Sequence, residues 1–172
     1  MAILDYGLEN ALGVIDSLKK ENVVFYGFNV DNNSTVLAQT GDGYRTMQVV
    51  DSAIDSSVTE LTAGNLIYRE ANKMSFVIPS FYRAVFMVAQ LNLESGTANI
   101  YNRIILEYGA GQSKEIARAA QTSVDRRCQQ TLIASYAGIT PYGEATKTIK
   151  LSIDTYGSQQ YFGANVVIAC IA

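Results

Sequence analysis

The sequence predicts a mainly β protein, an antiparallel β-sandwich preceded by a short N-terminal α-helix. Three observations lead to this fold class. Runs rich in Val, Ile, Tyr, Phe and Thr recur at intervals of about 8 to 12 residues after Val23. Gly, Asn, Asp and Ser separate these runs. No helical segments alternate with the runs, so the pattern does not fit a parallel sheet with crossover helices. A length of 172 residues suffices for one sandwich domain.

Residues 1–22 form a separate region, for which we expect a helix with an attachment or oligomerisation role. Their apolar residues alternate by three and four, as in the seam of a coiled coil. Five of them are candidate oligomer-interface residues: Leu4, Leu8, Ala11, Ile15 and Leu18. An amphipathic helix that packs its apolar stripe on its own domain would show the same spacing. The spacing alone therefore leaves both interpretations open.

Residues 23–50 predict a region of two consecutive β-hairpins. "VVFYGFNV" and "TVLAQT" flank "DNNS", and "LAQT" and "YRTMQVV" flank "GDG". Asn, Asp and Gly tolerate the positive φ angles that tight hairpin turns require. The sandwich itself is predicted over residues 51–172. It opens with a segment in which the spacing of Ile54, Val58 and Leu61 fits a helical turn or a loop.

The remaining strands follow from Leu66 onward, and the last two show how the sandwich is layered. The strand candidates are 66–70, 75–79, 82–93, 101–109, 114–120, 127–137, 146–156 and 162–172. In 146–156 apolar and polar residues alternate strictly, which predicts one face on a core and one in water. The closing "VVIACIA" is apolar on both faces. It predicts a central strand between two layers, or between its own sheet and a neighbouring subunit.

Three stretches resemble the trimeric jelly roll of the tumour-necrosis-factor and complement-head type, which is also common on bacteriophage virions. "KMSFVIPSFYRAVFMVAQL" is similar to the segment in which an apolar residue, a Pro and then a Tyr lead into a long central strand. "TPYGEATKTIKLSI" resembles the Gly-acid turn before an alternating strand, and "YFGANVVIACIA" resembles the closing strand. The residues that carry the resemblance are Phe76, Ile78, Pro79, Tyr82, Val85, Gly143, Glu144, Phe162 and Gly163. The resemblance spans about residues 65–172 and implies a homotrimeric jelly roll.

The composition argues against an enzyme. The chain has no His, which removes His-based triads, imidazole general bases and His-rich metal sites. Asp51 and Asp55 are interpreted as solvated surface carboxylates. "YGAGQSK" (108–114) lacks the Gly-Lys-Ser/Thr of a phosphate loop and is interpreted as a hairpin loop. We expect no catalytic residue, no metal and no cofactor.

Charge and cysteine content limit the partners and the compartment. The 13 Lys and Arg against 16 Asp and Glu give a net charge of -3, which argues against nucleic acid. The apolar runs are far shorter than the ~20 residues of a membrane span, so we expect no membrane partner. The N-terminal sequence has no signal-peptide pattern, so synthesis in a host cytoplasm is expected. Free thiols at Cys128 and Cys170 are favoured over a bridge between neighbouring strands.

Tyrosine is over-represented, with 11 residues against no Trp. Tyr is enriched at protein interfaces and also stacks on sugars. Tyr156, Tyr161 and Phe162 are candidate interface residues, and Tyr136 and Tyr142 are candidate residues of a shallow ligand site. Interface Tyr residues would be buried in the oligomer, whereas ligand-binding Tyr residues would stay open.

These features together predict a non-enzymatic structural virion protein. The expected form is a homotrimeric bacteriophage capsid decoration, head-fibre or tail component. Its partners would be copies of itself and other virion proteins such as the major capsid protein. The alternative is a receptor- or glycan-binding module at a fibre tip, which would bind through exposed loops and Tyr side chains.

Overall fold

A computed structural model describes residues 23–30, 37–39, 43–49, 58–62, 67–79, 82–95, 100–109, 111–121, 128–137, 148–157 and 159–171. In these residues the protein is all β. The strands are β1 (Val23–Val30), β2 (Leu37–Gln39), β3 (Arg45–Thr46), β4 (Val58–Thr62), β5 (Tyr68–Arg69), β6 (Ser75–Pro79), β7 (Ala84–Ser95), β8 (Ile100–Tyr108), β9 (Ser113–Gln121), β10 (Cys128–Ala137), β11 (Thr148–Tyr156) and β12 (Gln159–Ile171). In the same residues no helix is long and apolar enough to cross a membrane.

The strands form two six-stranded antiparallel sheets. Sheet A has the order β10-β7-β12-β1-β4, with β2 also paired to β12. Sheet B has the order β5-β6-β11-β8-β9, with β3 also paired to β11. The strand order is not sequential in either sheet, so the chain repeatedly crosses from one sheet to the other. This arrangement confirms the predicted antiparallel sandwich.

The core lies between the two sheets and is built from the inward-facing residues of their strands. Tyr26 and Phe28 of β1 pack edge-on against Phe76 of β6, with ring centroids 5.4 and 6.3 Å apart. Other fully buried core residues are Met87, Leu91, Ile104, Leu106, Leu151, Ile153, Val166 and Ile168. Ile149, Leu151 and Ile153 lie on the inward face of β11, and Lys150 and Asp154 lie on its outward face, which confirms the predicted alternation.

β12 is the central strand of sheet A. It pairs with β7 on one side, and β1 and β2 share its other side. Val166, Ile168 and Cys170 are buried in the core, while Val167 and Ile171 are exposed on the opposite face. This position confirms the prediction of a central strand. Its outward apolar residues are exposed in the single chain, so their cover by a neighbouring subunit stays a prediction.

The predicted pairing within residues 23–50 is wrong. β1 pairs with β12 and β4, β2 pairs with β12, and β3 joins sheet B beside β11. The turn residues allow hairpins but do not impose them, whereas Tyr26 and Phe28 are buried when β1 lies in sheet A. Residues 58–62 form β4, so the helical turn or loop predicted there is also wrong for these residues. The predicted helix of residues 1–22 lies outside the described residues, and the division into three regions stays a prediction.

The hairpin interpreted from "YGAGQSK" is confirmed. β8 and β9 pair antiparallel, and Gly109 and Gly111 have φ values of 75° and 76°, a region that favours glycine. The Tyr108 N–H donates to the Gln112 carbonyl oxygen over 2.9 Å and closes the loop.

Both cysteines are free thiols in sheet A. Cys128 lies opposite Leu93 and Cys170 opposite Val85, at the two ends of β7. Eight residues along a strand correspond to roughly 26 Å, far beyond disulfide reach. The two thiols therefore cannot bridge within one chain.

Candidate functional site

The outward face of sheet A, called here the apolar face, is the most unusual surface among the described residues. Seven large hydrophobic residues are exposed in this part of the chain, and six of them lie on this face: Val23, Phe25, Phe86, Ile133, Val167 and Ile171. Phe25 is 56% exposed and Ile133 60% exposed. Solvent-exposed apolar residues that cluster in this way typically mark an interaction surface.

Strand register arranges the apolar face in rows across β1, β12, β7 and β10. The first three rows are Val23, Ile171, Ala84 and Ala137; Phe25, Ala169, Phe86 and Ser135; and Gly27, Val167, Val88 and Ile133. The fourth row is polar and consists of Asn29, Asn165, Gln90 and Thr131. The face therefore has an apolar end, where β1 begins and β12 ends, and a polar uncharged end.

None of the residues in these four rows carries a charge. Charged residues make up roughly a quarter of average soluble domains and concentrate on their surfaces. A solvent-facing sheet surface usually carries them, because Lys and Glu oppose unwanted association. A partner can therefore cover these four rows without removing a charged side chain from water.

The outward face of sheet B, called here the polar face, has the opposite character. The Lys150 ammonium donates to Glu70 Oε1 over 2.6 Å, and the Ser152 hydroxyl bonds to Ser75 over 3.0 Å. The hydrogen bond from Lys150 holds the pKa of Glu70 below its ordinary value, although partial burial opposes this shift. The charges described here are thus already paired within the chain.

A second ion-paired group on the polar face centres on Arg103 of β8. Its guanidinium lies 3.1 Å from Asp154 Oδ2 and 3.6 Å from Glu115 Oε2. Arg118 makes a two-pronged contact with the same Glu115 carboxylate, with both N–O distances at 2.8 Å. Arg118 is the main reason that the pKa of Glu115 lies below its ordinary value. The Thr46 hydroxyl donates to Asp154 Oδ1 over 3.1 Å.

Three half-buried tyrosines lie beside this ion-paired group and form what we call the tyrosine row. Tyr156 of β11 lies between Tyr44 and Tyr101, with ring centroids 5.4 and 5.9 Å away. The Arg103 guanidinium carbon stands 3.6 Å from the centre of the Tyr44 ring. This cation–π contact fixes the arginine against the aromatic group.

The sequence-predicted site residues are distributed over several places. Leu4, Leu8, Ala11, Ile15, Leu18 and Tyr142 lie outside the described residues. Tyr156 lies in the tyrosine row. The backbone of Tyr161 and Phe162 belongs to β12, next to a register shift between Tyr161 and Gly163. Tyr136 is half-buried on β10 and packs against the core. Of these candidates, the structure describes the side chains of Tyr136 and Tyr156 alone, and they lie in different sheets.

Sequence reasoning missed most residues of the two surfaces. Phe25, Phe86 and Ile133 on the apolar face were not singled out, nor were Tyr44 and Tyr101. One signal was available, because "AVFMVA" and "VVIACIA" are apolar on both faces and indicate strands covered on both sides. The apolar face forms because β7 and β12 are neighbouring strands, and the sequence alone does not show this pairing.

The thiol of Cys170 is not activated as a nucleophile. Burial in the core raises the pKa of the Cys170 thiol to about 12, so the thiolate is scarce at neutral pH. In the described part of the chain, no three His, Cys, Asp or Glu side chains are grouped closely enough to hold a metal ion.

Comparison with known proteins gives a fold but no close relative. No protein-family model matches the chain, and no curated protein gives a significant match. The crystal structure of murine APRIL at pH 5.0 is similar, with a TM-score of 0.56 and 10% identity over 86% of this chain and 99% of that chain. The Eiger TNF structure from S. frugiperda has a TM-score of 0.54 and 9% identity over 88% of this chain and 94% of that chain.

The vertex protein P5 of PRD1 is also similar, with a TM-score of 0.45 and 8% identity over 86% of this chain and 96% of that chain. This TM-score is too low to support a conclusion about the chain. Identities of 10% and 9% establish a shared fold and nothing finer. The chain has the jelly-roll fold of the tumour-necrosis-factor type.

Proposed function

We propose that the protein is a non-enzymatic structural component of a virus particle that assembles as a homotrimer through the apolar face. Within this class, a bacteriophage capsid decoration, head-fibre or tail protein fits best. The observation that carries the proposal is the uncharged apolar face, in which Phe25, Phe86 and Ile133 are exposed in two adjacent rows.

Burial of the apolar face between copies supplies the driving force for assembly. Complete burial of a Phe or Ile side chain stabilises by about 1.5 to 3 kcal/mol, and each copy contributes several such residues. In a closed threefold ring, each copy offers the apolar face to one neighbour and a second surface to the other, so the apolar face of every copy is covered. The proposed number of three copies follows the trimeric jelly rolls that the sequence resembles.

Attachment to the particle is assigned to residues 1–22 and to contacts with other virion proteins, such as the major capsid protein. The chain enters sheet A at Val23, in the first row of the apolar face. Three chains packed through this face would thus bring their N-terminal regions to one end of the assembly. No nucleic acid or membrane takes part in this proposal, and the trimer is made in the host cytoplasm before it joins the virion.

The first test is the solution mass by light scattering after size exclusion. We expect a mass near three times the 18.7 kDa of one chain. The Phe86→Asp variant is expected to run as a monomer, because each interface would then bury an unpaired carboxylate. Tyr68→Asp is the matched control, since Tyr68 is a similarly exposed aromatic residue of sheet B.

Two results would contradict the proposed assembly. One is a wild-type monomer at micromolar concentration, and the other is a Phe86→Asp variant that keeps the wild-type mass. The proposed location of the protein in a virus particle is tested separately by mass spectrometry of purified particles. The chain should be present there in a fixed copy number that is a multiple of three.

A further inference from the structure

We propose that the tyrosine row and Arg103 form a binding site for a neutral saccharide. This narrows the glycan-binding alternative to neutral saccharides and assigns it to named residues. The site consists of Tyr44, Tyr156, Tyr101 and Arg103, on three neighbouring strands or strand ends of sheet B. Its rings lie on the polar face, so the packing of the core does not require them to be aromatic.

The aromatic part of the site matches the apolar C–H face of a sugar ring. Tyr156 stands 5.4 Å from Tyr44 and 5.9 Å from Tyr101, so the three rings form a continuous strip along one row of the sheet. Their planes are tilted by 49° and 57° relative to one another, which gives the strip a stepped surface. Such a strip can contact successive sugar units, while the phenol groups bond to hydroxyls.

The charged neighbours select a neutral ligand. Arg103 and Arg118 are compensated by Asp154 and Glu115 at distances of 2.8 to 3.6 Å. An acidic sugar would have to compete with these carboxylates for the arginines. Paired in this way, the guanidinium and carboxylate groups still offer hydrogen bonds of fixed direction, which sugar hydroxyls can use as both donors and acceptors.

The position of the site leaves it free when the apolar face is covered. Tyr156 is the last residue of β11, at the end of the sandwich where β12 begins. Val23 and Ile171 lie at the other end of β12, roughly 40 Å away along the strand. In the proposed trimer, three such sites would face outward, and avidity would strengthen binding to a surface that carries many glycans. This avidity rests on the proposed trimer, whereas sugar binding at a single site does not depend on the trimer.

Saturation-transfer difference NMR tests the site, because it detects weak binding through the protons of the sugar. The probes are gluco-, galacto-, manno- and N-acetylglucosamine-configured oligosaccharides, with sialyllactose as the acidic comparison. We expect transfer to at least one neutral probe at concentrations of about 1 mM, an affinity typical of a few stacking and hydrogen-bonding contacts. The sialyllactose signal should be weaker.

Variants then locate the binding. Tyr101→Ala with Tyr156→Ala should reduce the transfer to background, whereas Tyr101→Phe with Tyr156→Phe should keep the stacking surface and most of the signal. Tyr68→Ala is the matched control, because it removes an exposed tyrosine from the same sheet away from the row. Where the double Ala variant fails to fold, Tyr101→Ala alone takes its place.

The proposal is overturned by absence of transfer to all neutral probes, by a stronger signal from sialyllactose, or by full signal in a folded Ala variant. Light scattering on the same samples keeps this result separate from the assembly. A trimer without sugar binding would overturn the saccharide site alone, and a monomer that binds the probe would overturn only the trimer.

Discussion

At the scale of single residues, one polar pair joins the two sheets inside the sandwich. Asn102 of β8 donates from its Nδ2 to Gln130 Oε1 of β10 over 2.6 Å, and both residues are buried. Among the described residues, the buried Gln130 Nε2 has no hydrogen-bond partner. A buried polar group that loses its partner costs the full desolvation of that group, so this pair is sensitive to substitution.

Asn102→Leu is therefore expected to lower the free energy of unfolding by about 1 to 3 kcal/mol, measured by urea denaturation. Replacing both Asn102 and Gln130 by Leu should recover part of the loss, because no orphaned polar group then remains. Gln129→Leu is the control at an exposed neighbouring position and should change stability by less than about 0.5 kcal/mol. An Asn102→Leu variant as stable as wild type would show that the pair contributes little.

The thiol of Cys170 should be inert in the folded protein. Its pKa of about 12 and its burial in the core both oppose formation of a reactive thiolate. In a Cys128→Ser variant, we expect no reaction with a thiol reagent at pH 8 under native conditions and one thiol per chain in denaturant. Rapid labelling of the native variant would indicate that the core around β12 opens readily.

At the scale of the elements, an ion pair ties the turn after β5 to β11. Glu70 and Lys150 lie 2.6 Å apart, and the hydrogen bond from Lys150 lowers the pKa of Glu70 in the folded state. A depressed carboxyl pKa gives stability that is fully present above the ordinary value of 4.5 and is lost as the pH falls through the lower folded value. The ion pair is therefore expected to stabilise the folded protein less at acidic pH than at neutral pH.

We expect the stability of the wild type to fall on acidification below pH 4.5, and the fall should be smaller in the Glu70→Gln variant. Urea unfolding at several pH values measures the difference. The effect is small because both side chains are partly exposed and water screens them. Lys150→Gln removes the partner of Glu70 and should likewise reduce the fall. Equal pH profiles for wild type and Glu70→Gln would contradict the role of this pair.

The strands were largely predictable from the sequence, but their partners were not. The alternation in β11 and the two-sided apolar run of β12 each carry a local signal, because the period of two places residues on alternating faces. Residues 23–50 show the limit. Local turn chemistry favoured hairpins, yet β1 lies between β12 and β4, whose residues are distant in sequence. Such pairings depend on the burial of Tyr26 and Phe28 in the whole sandwich.

At the scale of the whole molecule, the heptad spacing of residues 1–22 makes a prediction about assembly. Leu8→Asp with Ile15→Asp should weaken the oligomer if the helices pack against one another, since charges in a coiled-coil seam are destabilising. Light scattering across a concentration series would detect the dissociation. An unchanged mass would contradict the coiled coil and favour a helix that packs on its own domain.

The apolar face and the tyrosine row can be recognised only from the strand register of the two complete sheets. Phe25 and Phe86 are far apart in the chain, and the pairing of both with Ala169 places them in one row. Tyr44 and Tyr101 likewise meet through Tyr156. The over-representation of tyrosine indicated recognition of some kind, but composition cannot show which tyrosines are neighbours. The absence of His, by contrast, could be read directly from the sequence.

The central place of β12 has a consequence for how the protein is made. Of the described strands, β12 is the last to leave the ribosome, and β1 and β7 both need it as a partner. At typical rates of synthesis, about 5 to 20 residues per second, β1 waits roughly 6 to 26 seconds for the roughly 130 residues between it and β12. During that time, the edges that β1 and β7 offer to β12 remain unpaired. Folding of sheet A is therefore expected to follow translation, and the nascent chain should depend on chaperones that shield these edges.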